Sequence, residues 1–211
     1  MFDIINTLTE KDVKENFVAV GSYVSKHKNV PDHSVLVIKY NDEIFQFHYD
    51  SKCILLDGVY NNDCFHKITD TINPVLIPSF IVWCKKIMKN ANPRYGYFYS
   101  GEYYDVNGIH FSDKEISETM TCTGFCLNVL KGFLEDDYLQ YSDWNTPSYP
   151  SVTYLDRYSA HYKLDKNKIS ESHRRISPIE LLCSAYFVDL PIKKSQVDLK
   201  LDEVTSYLKN Y

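Results

Sequence analysis

The feature that most constrains the fold is a pair of apolar segments separated by two turn residues. The first covers residues 34–40 and the second residues 44–49, with Asn41-Asp42 between them. Segments rich in β-branched and aromatic residues on either side of such a pair predict a β-hairpin. A two-residue turn places Tyr40 opposite Glu43, so the numbers of paired residues sum to 83. The register of the hairpin, and therefore its two faces, follows from the sequence.

One face of this hairpin carries two histidines, His33 and His48. Residues two apart on a strand share a face, and paired residues of neighbouring strands share it too. The same register adds Val35, Val37, Gln46 and Asp50 to this face. A ring nitrogen and a polar side chain that could orient it are therefore expected to lie together.

Two further segments extend the prediction towards the middle of the chain. Ile54-Leu55-Leu56 predicts a third strand, followed by a turn at Asp57-Gly58. Apolar residues at helical spacing predict a helix over residues 79–88, with Pro78 in its first turn. Between residues 95 and 108 the chain is rich in glycine and tyrosine, which predicts a loop with short strands.

The C-terminal third contributes two more elements. Ser177 as the cap, Pro178 at the first position and Glu180 in the first turn predict a short helix through Leu182. A weak apolar repeat after Lys193 predicts a strand followed by a helix. Together these elements predict a single α+β domain over residues 1–211, with a central antiparallel sheet.

Composition and charge exclude several classes of protein. The chain of 211 residues has a net charge of −5 and a pI near 5.8, and its basic residues form no block longer than a pair. Nucleic acid is therefore not an expected partner. No apolar run reaches the roughly 20 residues of a membrane-spanning helix, and the first residues lack the pattern of a secretory signal. We expect a cytoplasmic protein without a transmembrane segment.

Cysteine and aromatic residues are the other compositional features. The six cysteines form no C-x-x-C pair, so we expect mostly buried thiols and neither a metal site nor another cofactor. The chain also has 18 tyrosines and 11 phenylalanines. These rings could fill a small core or line a substrate groove, and the first of these is the commoner use.

A cysteine opens the most apolar helical pattern in the chain. Thr121-Cys122-Thr123-Gly124-Phe125 follows a polar segment and begins a helix-periodic run that ends near residues 135–137. The first N–H groups of a helix lack intrahelical acceptors and carry the positive end of its dipole. A thiolate is stabilised there, so Cys122 is a candidate nucleophile with a lowered pKa.

Three motifs resemble a known family. Thr121-Cys122-Thr123-Gly124-Phe125 resembles the D-C-S-G-F nucleophile motif of the NlpC-type cell-wall endopeptidases, a branch of the papain-like cysteine hydrolases. Residues 97–101 are similar to their Y-x-W-G-G segment, and residues 33–38 resemble their H-V-G-I-Y-I histidine strand. Here the histidine precedes the cysteine, an order that resembles the circularly permuted members, including the lecithin-retinol acyltransferase-like proteins.

The resemblance implies a papain-like fold and a role for each matching residue. Cys122 would be the nucleophile and His33 the general base, with the oxyanion held by the backbone N–H of Cys122 and helped by Tyr97. Thr121, where the family has Asp, would also lie at the substrate. The third polar residue, which orients the base, would be His48 or Gln46. When the family's third polar residue is aligned with one inserted residue, it falls on Gln46. With a longer insertion it falls on His48.

The resemblance implies an enzyme that cleaves or transfers acyl groups without a cofactor. Its substrate would be an amide, isopeptide, thioester or ester in a peptide, protein or lipid. Two alternatives stay open: a catalytically inactive papain-like module that binds a protein or lipid, and a non-permuted site with His161 or His173 as the base. His66 and His110 are expected at the surface or in loops.

Overall fold

The computed structural model describes most of the chain. These are residues 4–6, 15–25, 30–50, 54–57, 64–96, 102–112, 118–134, 136–144, 156–157, 159–161, 163, 165 and 174–210.

A six-stranded sheet forms the centre of the described fold, and each strand is antiparallel to its neighbours. The strand order across the sheet is β1-β6-β2-β3-β4-β5. The strands are β1 (Ile5–Asn6), β2 (Phe17–Ser25), β3 (Val30–Tyr40), β4 (Glu43–Tyr49), β5 (Ile54–Asp57) and β6 (Cys64–Ile68).

The predicted hairpin and its register are confirmed. Strands β3 and β4 pair from Tyr40 opposite Glu43 to Leu36 opposite Phe47. Asn41 and Asp42 connect them with φ angles of 48° and 67°. Positive φ at both turn residues is typical of the type I′ turn, whose twist matches that of the flanking strands. Strand β5 confirms the predicted third strand, although Gly58 lies outside the described residues.

Four α-helices have described bounds, and three of them are longer than three turns. They are α1 (Ile77–Asn90), α2 (Cys122–Leu134), α3 (Pro178–Ser184) and α4 (Lys194–Lys209). Helix α1 extends two residues beyond the predicted helix at each end. At the start of α3, Ser177 and Glu180 form the reciprocal hydrogen bonds of a capping box, which confirms the predicted beginning of this helix.

The predicted strand after Lys193 is wrong. The backbone is helical from Lys194 to Lys209, and the N–H of Lys193 donates to Gln196 at the start of this helix. Val197, Val204 and Leu208 are its buried residues. Their separations of seven and four residues place them on one face of a continuous helix, so tertiary packing decides the conformation.

Shorter elements connect α1 to α2. Strands β7 (Arg94–Tyr95) and β10 (Thr119–Met120) pair in parallel, and β8 (Tyr103–Tyr104) pairs antiparallel with β9 (His110–Phe111). Tyr104 is fully buried and Tyr95 is 48% exposed. The tyrosines of this region therefore divide between the core and the surface.

The two faces of the sheet pack into separate apolar clusters. Leu36 and Phe47 belong to the larger cluster, which includes Phe125 of α2. Val35 and Val37 belong to a smaller cluster on the other face, together with Phe17, Ala19 and Cys64. The predicted antiparallel sheet packed on the helix of Cys122 is thus present, and His33 lies on the face turned away from that helix because it alternates with Ser34.

The described residues include several buried thiols and no membrane-spanning helix. Cys64, Cys84, Cys122, Cys126 and Cys183 are buried free thiols, as predicted for most of the cysteines, and Cys53 lies outside the described residues. No described helix combines the length and the apolar character that crossing a bilayer requires.

Candidate active site

The thiol of Cys122 lies at the first position of α2, where the sequence predicts a helix start. Thr121 caps the helix: its Oγ1 accepts a hydrogen bond from the Gly124 N–H at 3.1 Å, and its carbonyl oxygen accepts one from the Phe125 N–H at 2.9 Å. Such a cap satisfies donors that the helix leaves unpaired. Only 6% of the Cys122 surface is exposed, so the thiol lies at the edge of the core.

Strand β3 supplies a donor to this thiol. The backbone N–H of Ser34 donates to Cys122 Sγ at 3.4 Å. Pairing between β3 and β4 ends at Leu36 and Phe47, so Ser34 lies where the two strands have separated. The hydroxyls of Ser34 and Thr123 are 2.8 Å apart and join the strand to the first turn of α2. The helix start is therefore fixed against the strand that carries His33.

The two hairpin histidines form a hydrogen-bonded pair. His33 Nε2 lies 2.9 Å from His48 Nδ1. Tyr23 is opposite His33 in the β2–β3 register, and the two rings stack with centroids 5.4 Å apart and planes 23° apart. The Tyr23 hydroxyl donates to Gln46 Oε1. Four side chains from three neighbouring strands thus form one polar cluster, which we call the histidine cluster.

The histidine cluster favours neutral imidazoles. Burial lowers the pKa of His33 to about 4; the nearby charge of His48 lowers it too, whereas Asp32 and Asp50 act in the opposite direction. Burial also lowers the pKa of His48, against the effect of Asp50. Both rings are therefore uncharged near neutral pH, and one ring donates to the other.

The pKa of the thiol moves in the direction opposite to the prediction. Burial raises the pKa of Cys122, while hydrogen bonds from the backbone and hydroxyl groups of Ser34 and Thr123 lower it. The expectation of a lowered pKa considered the helix start alone. In the structure the loss of solvation outweighs these donors, because a thiolate buried in apolar surroundings is disfavoured.

Cys122 contacts the backbone of Ser34, the residue that follows His33, but Cys122 and His33 are not hydrogen-bonded to each other. The Ser34 hydroxyl is hydrogen-bonded to Thr123 of the helix. The His33 ring stacks on Tyr23 on the other face of the sheet. Among the described contacts, no hydrogen bond joins Cys122 Sγ to His33 or His48. A general base must lie within hydrogen-bond reach of the proton that it accepts, so direct proton transfer between these groups would require the His33 ring to reorient.

The two candidates for the orienting residue have different partners. His48 contacts His33, whereas the Oε1 of Gln46 accepts from Tyr23. The Nε2 of Gln46 is buried and has no hydrogen-bond partner among the described residues. Within the histidine cluster, Gln46 is thus hydrogen-bonded to Tyr23, whereas the hydrogen bond to the His33 ring comes from His48.

The remaining predicted residues lie apart from the histidine cluster or outside the residues that the structure describes. Tyr97 and His173 are outside the described residues, and His161 is exposed. The expectation of surface or loop positions is wrong for His66, which is 1% exposed on β6 and stacks on Phe17 with ring centroids 5.6 Å apart. His110 lies half-buried on β9, with its ring 6.0 Å from that of Tyr104.

Three contributing residues were absent from the sequence prediction: Tyr23, Ser34 and Thr123. Tyr23 could have been found once β2 was recognised, because its alternation places the ring beside His33. Ser34 is part of the predicted hairpin, and its position on the helix side follows from alternation with His33. Nothing in the sequence alone indicates its pairing with Thr123, which depends on how α2 meets the sheet.

Comparison with known proteins gave no match: no protein-family model, no curated protein and no solved structure is similar to this chain.

Proposed function

We propose that this protein is a cysteine-dependent hydrolase or acyltransferase with a papain-like fold in permuted order. One observation carries the proposal: His33, which is hydrogen-bonded to His48 of β4, immediately precedes Ser34 on β3, and the Ser34 N–H donates to the Cys122 thiol at a helix start. A nucleophile, a base and a group that orients the base are the three parts that such chemistry needs.

The hydrogen bonds of the histidine cluster suggest which ring nitrogen would act. His33 Nε2 is occupied by His48, so Nδ1 is the nitrogen of His33 that would receive the thiol proton. For Nδ1 to be an acceptor, Nε2 must carry the hydrogen and donate to His48 Nδ1. His48 would then hold the ring in the productive tautomer, as the third residue of a triad does.

The proposed reaction has two halves with a covalent intermediate. Cys122 Sγ forms a bond to the substrate carbonyl carbon while its proton moves to His33, and the oxyanion lies near the backbone N–H of Cys122. When the bond to the leaving group breaks, His33 returns that proton to it. Water or an amine then attacks the thioester, and Cys122 leaves as a thiol. Amides, isopeptides, thioesters and esters all fit this scheme.

The protonation states of Cys122 and His33 before the reaction determine when the thiol proton must move. The pKa of Cys122 is raised and that of His33 is lowered, so the resting site favours a thiol and an imidazole over an ion pair. Proton transfer is then expected to accompany attack on the carbonyl carbon. Desolvation by a bound substrate must be compensated by the donors of Ser34 and Thr123, which lower the pKa of the thiol.

The experiment is to trap the acyl-enzyme. Wild-type protein is incubated with p-nitrophenyl acetate, p-nitrophenol release is followed, and the acetylated residue is located by peptide mass mapping. We expect a burst of p-nitrophenol and acetylation of Cys122. The burst should be lost in Cys122→Ala and strongly slowed in His33→Gln.

A matched control is available on the same helix. Cys126 lies one turn after Cys122 and is fully buried, so Cys126→Ala should leave the burst intact. Acetylation spread over several cysteines, or equal at Cys122 in wild type and His33→Gln, would refute the assignment.

A papain-like module without catalytic activity is the second candidate, and a specific observation favours it. Cys122 is buried, its pKa is raised, and it makes no hydrogen bond to either imidazole of the described pair. This candidate predicts a thiol that reacts slowly with both iodoacetamide and p-nitrophenyl acetate. It also predicts that Cys122→Ala affects stability alone.

A further inference from the structure

One segment of this acidic chain contains basic residues and no acidic ones. From Thr71 to Gly101 there is no Asp or Glu, although the whole chain contains 28 of them. The same segment contains Lys85, Lys86, Lys89 and Arg94. All three lysines belong to α1, so this helix is cationic in a protein whose net charge is −5.

The solvent-facing side of α1 combines these lysines with exposed aliphatic residues. Val82 is 54% exposed, and Val75, in the 3₁₀ turn that precedes α1, is 81% exposed. Lys89 follows Val82 by seven residues, which places it on the same side of the helix. Lys85 and Lys89 are exposed and form no ion pair with any described residue. Their charges are therefore not neutralised by the described fold.

The loop between β8 and β9 extends this surface. Lys86 Nζ donates to the Val106 carbonyl oxygen at 2.9 Å, and Asn90 Nδ2 donates to the Asn107 carbonyl oxygen at 2.7 Å. The Val106 side chain remains 70% exposed. A groove of about 450 Å³ lies between α1, this loop and the end of α2, and its lining includes Val82, Val106 and Phe133. We call the exposed side of α1 with this loop the α1 surface.

We propose that the α1 surface docks the protein on an anionic lipid bilayer. Protruding aliphatic side chains enter the boundary between headgroups and acyl chains, and lysines beside them attract anionic lipids. A protein partner fits less well, because interfaces between proteins are depleted in lysine and obtain most of their energy from Trp, Tyr and Arg. The 450 Å³ groove offers an apolar cleft beside the lysines for part of an acyl chain. The inference does not depend on the role of Cys122.

The test is co-sedimentation of the protein with vesicles. We expect binding to vesicles of phosphatidylcholine with phosphatidylserine, weak binding to phosphatidylcholine alone, and a decrease with added salt. Each lysine near an anionic surface strengthens binding by about fivefold, so Lys85→Gln with Lys89→Gln should weaken it by roughly 25-fold. Val82→Ser with Val106→Ser should weaken it as well, because insertion of apolar groups is lost.

Helix α4 provides matched controls. Lys193→Gln with Lys209→Gln removes two exposed lysines there, and Leu199→Ser removes an aliphatic side chain that is 77% exposed. These variants should bind vesicles as the wild type does. Equal binding to both kinds of vesicle, or equal losses in the α1 and α4 variants, would overturn the proposal. Binding to soluble polyglutamate but not to vesicles would also overturn it and would assign the surface to an acidic polypeptide.

Discussion

His33 Nε2 lies 2.9 Å from His48 Nδ1, and the two imidazole planes are nearly perpendicular, at 87°. Two neutral rings in this arrangement share one hydrogen, so the tautomer of one fixes that of the other. If His33 Nδ1 is to accept a proton, His48 must act as the acceptor of this bond. The contact therefore distinguishes His48 from Gln46, whose oxygen is bound to Tyr23.

The first prediction concerns this distinction. His48→Phe removes the acceptor, so the acylation rate of Cys122 should fall by on the order of 10²-fold, the low end of what a positioned base contributes. Gln46→Leu should change this rate by only a few fold. Rates of the p-nitrophenol burst measure both effects. A larger loss in Gln46→Leu than in His48→Phe would assign the orienting role to Gln46.

The second prediction separates two functions of Tyr23. Tyr23→Phe keeps the ring stacked on His33 and removes the bond to Gln46 Oε1, leaving a buried amide without partners. It should lower the free energy of unfolding by about 1–3 kcal/mol and largely preserve acylation. Tyr23→Leu should also slow acylation, since the imidazole loses its support. Urea titration and burst rates measure the two effects, and equal burst rates in both variants would contradict a positioning role.

The hairpin was predictable because residues close together in sequence determine its turn and its register. The two-residue turn at Asn41-Asp42 fixes the register, and the register places His33, Gln46 and His48 on one face. The helix starts at Cys122 and Pro178 were predictable for the same reason, since caps and first-turn residues act within a few positions. These features determine which side chains share a face or a helix end.

What could not be predicted depends on contacts distant in sequence. Strand β2 was not recognised, although it lies beside β3 at the centre of the sheet and contributes Tyr23. The pKa of Cys122 depends on burial by the surrounding core, which no local pattern reports. The side of the sheet on which the thiol would lie relative to His33 likewise required the packing of α2.

The third prediction follows from the lowered pKa values of the two histidines. The pKa of His33 is about 4 in the folded protein and about 6.5 in the unfolded chain, so the unfolded chain takes up a proton first as the pH falls. Stability should therefore be unaffected by His33 above the unfolded value. It should decrease by ~2 kcal/mol between neutral pH and about pH 5.

Chemical denaturation across this range measures the effect in wild type and in His33→Gln. The variant should lose less stability on acidification, because it lacks a group that binds protons preferentially in the unfolded chain. His48 should contribute in the same direction, since burial also lowers its pKa. An identical pH dependence in wild type and in a variant that lacks both histidines would contradict the neutral pair.

The last prediction concerns Thr121, which the family resemblance places at the substrate and the structure places at the helix cap. If its oxygen serves as a cap, Thr121→Ala should lower the free energy of unfolding by about 1 kcal/mol. Thr121→Asp should retain stability, because a carboxylate also accepts the Gly124 N–H. It should retain acylation as well, and Asp is the residue that the NlpC-type motif has at this position. A carboxylate has no O–H donor at neutral pH, so a variant that is stable but loses the burst would show that the Thr121 hydroxyl donates to the oxyanion.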